Sequence, residues 1–265
     1  MGGYRRALAG KESALEGSSM SDFVGKTFFL TGGSSGLGLV CARQLAERGA
    51  RLVLAGRQIE TLRQEFPADT HLAVACDVTD EAAIKDLVAQ LKSAQINLNG
   101  VVLSAGIHEP RPLAMETKAS LERTWLVYVY GSLGLLAALL KTRLVAREAS
   151  IVLFSSAATH AGGIGNVSYA ASKGAMEGTV RCLAMELAPQ KIRTNAIAPG
   201  VIPTPMSSRY LSRMTEQQVQ GLTHEHPLGL GTPEDVARLV TFLLSDDSKW
   251  MTGAVLPIDG GLTSH

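Results

Sequence analysis

The sequence predicts a single α/β domain with one parallel sheet covered by helices on both faces. Two observations carry that prediction. Apolar, β-rich runs near residues 27–31, 51–55, 71–76, 100–104, 150–155, 192–197 and 254–258 alternate with helical segments. Strands that are apolar on both faces and separated by helices belong to doubly wound parallel sheets. The second observation is size. The 265 residues, 46% hydrophobic and 18% charged, can bury a full core, and doubly wound domains of this length are usually single. The expectation is a seven-stranded sheet over residues 23–265, with residues 1–22 as a flexible extension. That extension is rich in Gly, Ser, Ala and charge and lacks the apolar stretch of a secretory signal. Arg5, Arg6 and Lys11 hint at organelle targeting, against which Glu12 and Glu16 count, and Met20 looks like an alternative start.

The first strand, Phe28-Phe29-Leu30, runs into Thr31-Gly32-Gly33-Ser34-Ser35-Gly36-Leu37-Gly38, and a helical pattern (Leu39, Ala42, Leu45, Ala46) follows. Glycines at 32, 36 and 38 permit a tight turn, close backbone approach to a pyrophosphate and close helix–strand packing. Phosphates placed there meet the free N–H groups and dipole of a helix N-terminus. A second strand, Leu52-Val53-Leu54, completes the context that a dinucleotide-binding fingerprint requires. Two long helices are expected at about 118–146 and 168–189, with small and aliphatic residues on more than one side. Thr232 as cap, Pro233 in the first turn and Glu234 and Asp235 behind it mark the start of the last helix. Between them, residues 204–231 show no strand pattern but carry Met206, Tyr210, Leu211, Met214 and Leu222, as a surface loop or lid would.

Chemistry concentrates in Ser156, Tyr169 and Lys173. A tyrosine and a lysine four residues apart on a helix share a face. Free tyrosine titrates near pH ~10, and a fixed ammonium beside it is expected to draw that value down. A serine hydroxyl at the preceding strand end can share the substrate oxygen. Tyr-x-x-x-Lys also arises by chance on solvated helices, and the glycine loop upstream is what gives the spacing weight.

Together these motifs resemble the short-chain dehydrogenase/reductase family, from about Gly25 to Gly261, with further landmarks in order: Asp77-Val78, Ala105-Gly106, Asn195, Pro199 to Thr204 and Asp259-Gly260-Gly261. The resemblance implies a Rossmann fold. It makes Ser156, Tyr169 and Lys173 catalytic, Tyr169 giving the proton to a carbonyl oxygen that receives hydride. It places a nicotinamide dinucleotide against Gly32, Ser34, Ser35, Gly36, Leu37, Gly38, Arg57, Asp77, Val78, Ser104, Ala105, Gly106, Tyr169, Lys173, Pro199, Gly200, Ile202 and Thr204. Asp77 would accept from the adenine amino group and Thr204 would hold the carboxamide. It also implies a lid at 204–231 and a dimer or tetramer formed through the long helices. The nearest branch is 3-oxoacyl-carrier-protein-reductase-like. The second strand ends Leu54-Ala55-Gly56-Arg57, with an arginine and no carboxylate, which favours NADP(H) over NAD. A solvated arginine opening the next helix is the alternative.

The chain departs from the family pattern in three places. Ser104 stands where an asparagine is usual, with modest loss of local rigidity expected. Tyr128 falls at the position of an asparagine whose backbone helps hold a proton-relaying water. The stretch Pro227-Leu228-Gly229-Leu230-Gly231 lacks a customary arginine. A net charge of +1 gives no reason to expect nucleic acid or an anionic membrane as partner. The longest apolar run, Leu133 to Leu140, is too short to span a bilayer. Cys41, Cys76 and Cys182 read as free thiols in a reducing, cytoplasmic setting. His224-Glu225-His226 lacks a third ligand nearby, so no metal is expected, while His108 and His160 sit where substrate contacts gather. The expected function is an NADPH-dependent carbonyl reductase or the reverse dehydrogenase. A dinucleotide-binding regulator or scaffold is the competing reading.

Overall fold

The computed structural model describes residues 22–264, and the greater part of the expected extension lies outside them. Asp22 itself belongs to the fold, since it pairs with Arg48 beside the buried Phe23. Seven strands form the sheet: β1 (Thr27–Thr31), β2 (Arg51–Gly56), β3 (Leu72–Ala75), β4 (Leu98–Leu103), β5 (Val145–Phe154), β6 (Arg193–Pro199) and β7 (Val255–Ile258). Their order is β3-β2-β1-β4-β5-β6-β7, and every pairing is parallel. The order reverses between β1 and β4, and in open parallel sheets ligands bind outside the strand C-termini at such a switch point.

Alternation within the strands divides the core into two layers. Phe28, Leu30, Leu52, Leu54, Val102, Val152 and Ile197 face α1 (Gly36–Glu47), α2 (Ile59–Glu65) and a later helix, Pro233–Leu244. Phe29, Val53, Val74, Val101, Leu103, Ile151 and Leu153 face α3 (Glu81–Ser93) and the two long helical segments. Each fully buried Leu, Ile or Phe contributes about 1.5–3 kcal/mol, so neither layer is dispensable.

The first long helix is not uniform. It runs as α4 (Lys118–Trp125), a π-helical stretch Leu126–Gly131, and α5 (Ser132–Lys141). It ends before the expected 146. Thr142 and Arg143, the latter at φ 57°, turn the chain, and β5 starts at Val145. The apolar Leu144 and Val145 continue the helical pattern in sequence but belong to the turn and strand. By length and composition Lys118–Lys141 could cross a membrane; here Leu135, Leu136 and Leu139 are buried against the sheet. The remaining helices are a single turn α6 (Ala158–Ala161), α7 (Val167–Leu187), α8 (Pro205–Leu211), α9 (Glu216–His224) and α10 (Pro233–Leu244). Thr232 caps α10 through Asp235 as expected. The segment 204–231 is two short helices, each opened by a capping box: Thr204 with Ser207, and Thr215 with Gln218.

Candidate active site

The strand C-termini open onto one cleft of about 1400 Å³, larger than the ~300–1,000 Å³ that a drug-sized ligand occupies. All the sequence-predicted residues line it: the loop Gly32, Ser34, Ser35, Gly36, Leu37 and Gly38; Arg57; Asp77 and Val78; Ser104 to Gly106; Pro199, Gly200, Ile202 and Thr204; and Ser156, Tyr169 and Lys173. One rim is made of backbone. Gly32 has φ 72°, and a Cβ on it would lie 2.9 Å from the main chain of Ser104 and Ala105. A Cβ on Gly38 would lie 2.3 Å from the Gly32 carbonyl. The N-terminus of α1 carries no side-chain cap at Ser35 and no acid in its first turn, so its free N–H groups are available to an anion. This cradle fits a pyrophosphate.

Around it, Arg57 is exposed at the end of β2. The N–H and hydroxyl of Thr79, with the Arg57 charge, hold the Asp77 carboxyl below its ordinary range. Ser104 and its neighbour tie the end of β4 to that of β1. The Ser104 hydroxyl donates to the Thr31 carbonyl at 2.5 Å, and Ala105 N–H donates to Thr31 Oγ1 at 3.2 Å.

The opposite wall is made of side chains. Lys173, on α7, is 5% exposed. Its Nζ donates to the Phe154 carbonyl at 2.8 Å and lies 3.9 Å from the Tyr128 ring centroid, but 5.7 Å from that of Tyr169. Burial pulls this lysine down to about 7. The same burial pushes the Tyr169 phenol up to about 12, against an opposing hydrogen bond with Ser156. Lys173 is not among the groups that set the Tyr169 phenol in this arrangement. The ammonium is engaged elsewhere, and desolvation of the phenolate dominates. Ser156 sits just past β5, its Oγ accepting from Ala158 N–H at 3.2 Å.

His108 and His160 both reach the cleft. The His108 ring lies 4.5 Å from Tyr169 and 5.4 Å from Tyr210 of α8, with Nε2 2.8 Å from Asn166 Oδ1. Burial lowers its pKa. His160 is 3.2 Å from Glu177 Oε1, an oxygen that also accepts from Ser155 (2.6 Å) and Thr159 (2.7 Å). Glu177 thus pins both sides of Ser156. Sequence reasoning missed it, although it lies one helical turn beyond Lys173 on the same face. His226 is buried; Nε2 accepts from Val201 N–H at 3.2 Å and Nδ1 donates to the Leu222 carbonyl at 2.8 Å. It ties the loop after β6 to α9.

Fold and site together define an oxidoreductase of the dinucleotide-binding α/β class. Residues 32–263 match the family model described as Enoyl-(Acyl carrier protein) reductase. The chain is 34% identical over 235 residues to a bovine (Bos taurus) 3-oxoacyl-[acyl-carrier-protein] reductase, covering 87% of this chain and 95% of the relative. It is 32% identical over 257 residues to a glucose 1-dehydrogenase of Gluconobacter oxydans, covering 92% and 94%. Among solved structures, a short-chain dehydrogenase/reductase from Brucella melitensis superposes with TM-score 0.84 at 30% identity, covering 91% of this chain and 98% of that one. A 3-ketoacyl-(acyl-carrier-protein) reductase from the same organism, complexed with NADH, gives 0.80 at 28%, covering 91% and 99%. The chain belongs to the short-chain dehydrogenase/reductase family, and it is an oxidoreductase acting on CH–OH and C=O groups with a nicotinamide dinucleotide.

Proposed function

We propose that this enzyme reduces a ketone or 3-oxoacyl substrate to the secondary alcohol with NADPH, or runs the reverse reaction, with Tyr169 as proton donor and acceptor. The observation that carries this reading is the position of Ser156, Tyr169 and Lys173 on the wall facing the glycine cradle. When bound, the nicotinamide supplies the hydride. The chain supplies the rest. Tyr169, protonated at neutral pH as an ordinary phenol is and hydrogen-bonded with Ser156, is positioned in the cleft to give its proton to the substrate oxygen. Ser156 donates to that oxygen as negative charge develops. Lys173 is placed to bind ribose hydroxyls and, once charged, to favour the phenolate. The residues that would hold the dinucleotide are Gly32 to Gly38, Asp77, Val78, Ser104 to Gly106, Pro199, Gly200, Ile202 and Thr204. Arg57, with its planar fork, suits a ribose 2′-phosphate. The bovine relative's name supports a 3-oxoacyl substrate and the Gluconobacter relative's a sugar.

The test is NADPH fluorescence on binding, followed by loss of its absorbance with ketones, diketones and acyl thioesters. Turnover on at least one class is expected, with a drop of about 10²–10⁴-fold in Tyr169→Phe; wild-type turnover in that variant would remove Tyr169 from the role. The second reading, a dinucleotide-binding scaffold with little turnover, is favoured by Tyr128 alone. Tight NADPH binding with no oxidation on any substrate would establish it. We further infer that α8 and α9 close over the substrate, and that copies associate through the exposed Leu126 and Tyr130 and through Val167 and Met185 of α7. Light scattering of the purified protein would show a dimer or tetramer.

A further inference from the structure

Tyr128 is held in the cleft wall by contacts on several sides, and it is only 3% exposed. Its hydroxyl donates to the Ile107 carbonyl. Its ring stands edge-on to Tyr169, centroids 5.6 Å apart. Gly106 lies so close that a Cβ there would come within 2.6 Å of the ring and hydroxyl. The last contact is Lys173, whose Nζ is 3.9 Å from the ring centroid. An ammonium offers three donors. One goes to the Phe154 carbonyl, the Tyr128 face lies against the ammonium on another side, and Lys173 also lines the cleft. The π-helical stretch Leu126–Gly131 is what delivers Tyr128 to this spot.

We propose that Tyr128 is a positioning residue for catalysis: its ring face seats the Lys173 ammonium, and its bulk shuts this side of the lysine off from solvent. Protons then reach Lys173 and Tyr169 from the substrate cleft and not through the π-helical stretch. This rests on Lys173 serving the site as proposed above. A cation over a desolvated aromatic face is attracted to the ring quadrupole, so the seat partly offsets the burial that disfavours the charged lysine. The other titratable groups facing this region are Tyr169 and Glu177 of α7, His108 of the loop after β4, and Tyr210 of α8. None of these comes from the π-helical stretch, so substitution of Tyr128 tests that side alone.

The experiment uses cofactor-free protein labelled with [ε-¹³C]lysine, the Lys173 resonance being assigned with Lys173→Arg. In the wild type the ring current displaces that resonance upfield. Tyr128→Leu abolishes the displacement and lowers the midpoint of its titration by roughly one pH unit. Tyr128→Phe restores both, because the ring is kept. Tyr128→Asn moves the midpoint the other way, since water returns to the lysine. In turnover assays the Leu variant loses roughly tenfold in kcat at neutral pH, and the limb of its pH profile that reports Lys173 moves with the resonance. An undisplaced wild-type resonance, or a Leu variant that titrates like the wild type, overturns the proposal. Full activity in Tyr169→Phe would overturn the proton-donor reading instead, leaving the lysine resonance to decide the seat.

Discussion

The two walls of the cleft are built on opposite principles. The glycine rim works by what it lacks: Gly32 and Gly38 leave no Cβ in a space bordered by main chain, and α1 begins without a side-chain cap. The facing wall works by what it buries: Lys173, Glu177 and Tyr128 are each at most 9% exposed. Backbone donors cost nothing to keep dry beyond their own pairing, whereas a buried ammonium resists its charge. The rim is therefore indifferent to pH, and the wall is where protonation state is set.

The sharpest break of that contrast is Lys173→Met, for which a loss of about 10²-fold or more in kcat is expected. The same variant removes a pH dependence of stability. Folded Lys173 titrates near 7 and an ordinary lysine near 10.5, so between those values the unfolded chain binds the extra proton. Stability of the cofactor-free wild type then rises with pH across that window, by up to about 1.4 kcal/mol per unit, and below pH 7 this gain is absent. Urea unfolding at pH 7, 8 and 9 should show the slope in the wild type and its loss in Lys173→Met; parallel slopes would place the lysine outside the dry wall. Next in size is Gly38→Ala, which forces a methyl into the Gly32 carbonyl at a cost of about 1–3 kcal/mol. Fluorescence titration should show NADPH affinity down roughly tenfold or more, with no change in the stability slope. Arg57→Asp should weaken NADPH relative to NADH by about tenfold or more, read as a ratio of kcat/KM values; an unchanged ratio would reassign the cofactor. The mildest change is Glu177→Gln, which keeps the shape but weakens the acceptor of Ser155, Thr159 and His160. A severalfold drop in kcat with cofactor KM unchanged is expected, and equal loss in both would make Glu177 a general stabiliser.

The same contrast explains what could be read from sequence. Apolar runs between helices, glycines before a helix and a tyrosine four residues ahead of a lysine state their geometry locally, and the sheet, the rim and the shared face of Tyr169 and Lys173 can be read from them. Partnerships made across the fold do not. Glu177 gathers Ser155, Thr159 and His160 only once β5 and α7 are packed together, and His226 meets Val201 only through the return of α9. Leu144 and Val145 continue a helical pattern that the turn at Arg143 stops. The helices in 204–231 did carry a signal, the Thr204–Ser207 and Thr215–Gln218 boxes, hidden by the absence of a long apolar stripe. Even the Tyr169–Lys173 pair, adjacent in the helix, points its charge at Tyr128 and not at its neighbour.

The π-helical stretch between α4 and α5 makes one rod carry two phases. Within it, Tyr128 is delivered to the cleft; downstream, Leu135, Leu136 and Leu139 lock against the sheet. An α-helical residue advances the face by about 100°, so deleting Val129 would swing Tyr128 about that far around the axis while the leucines stayed anchored. The segment is thus metered by length as much as by composition. A conservative exchange of side chains there is a small event, whereas the loss of a single residue unseats the lysine without touching it.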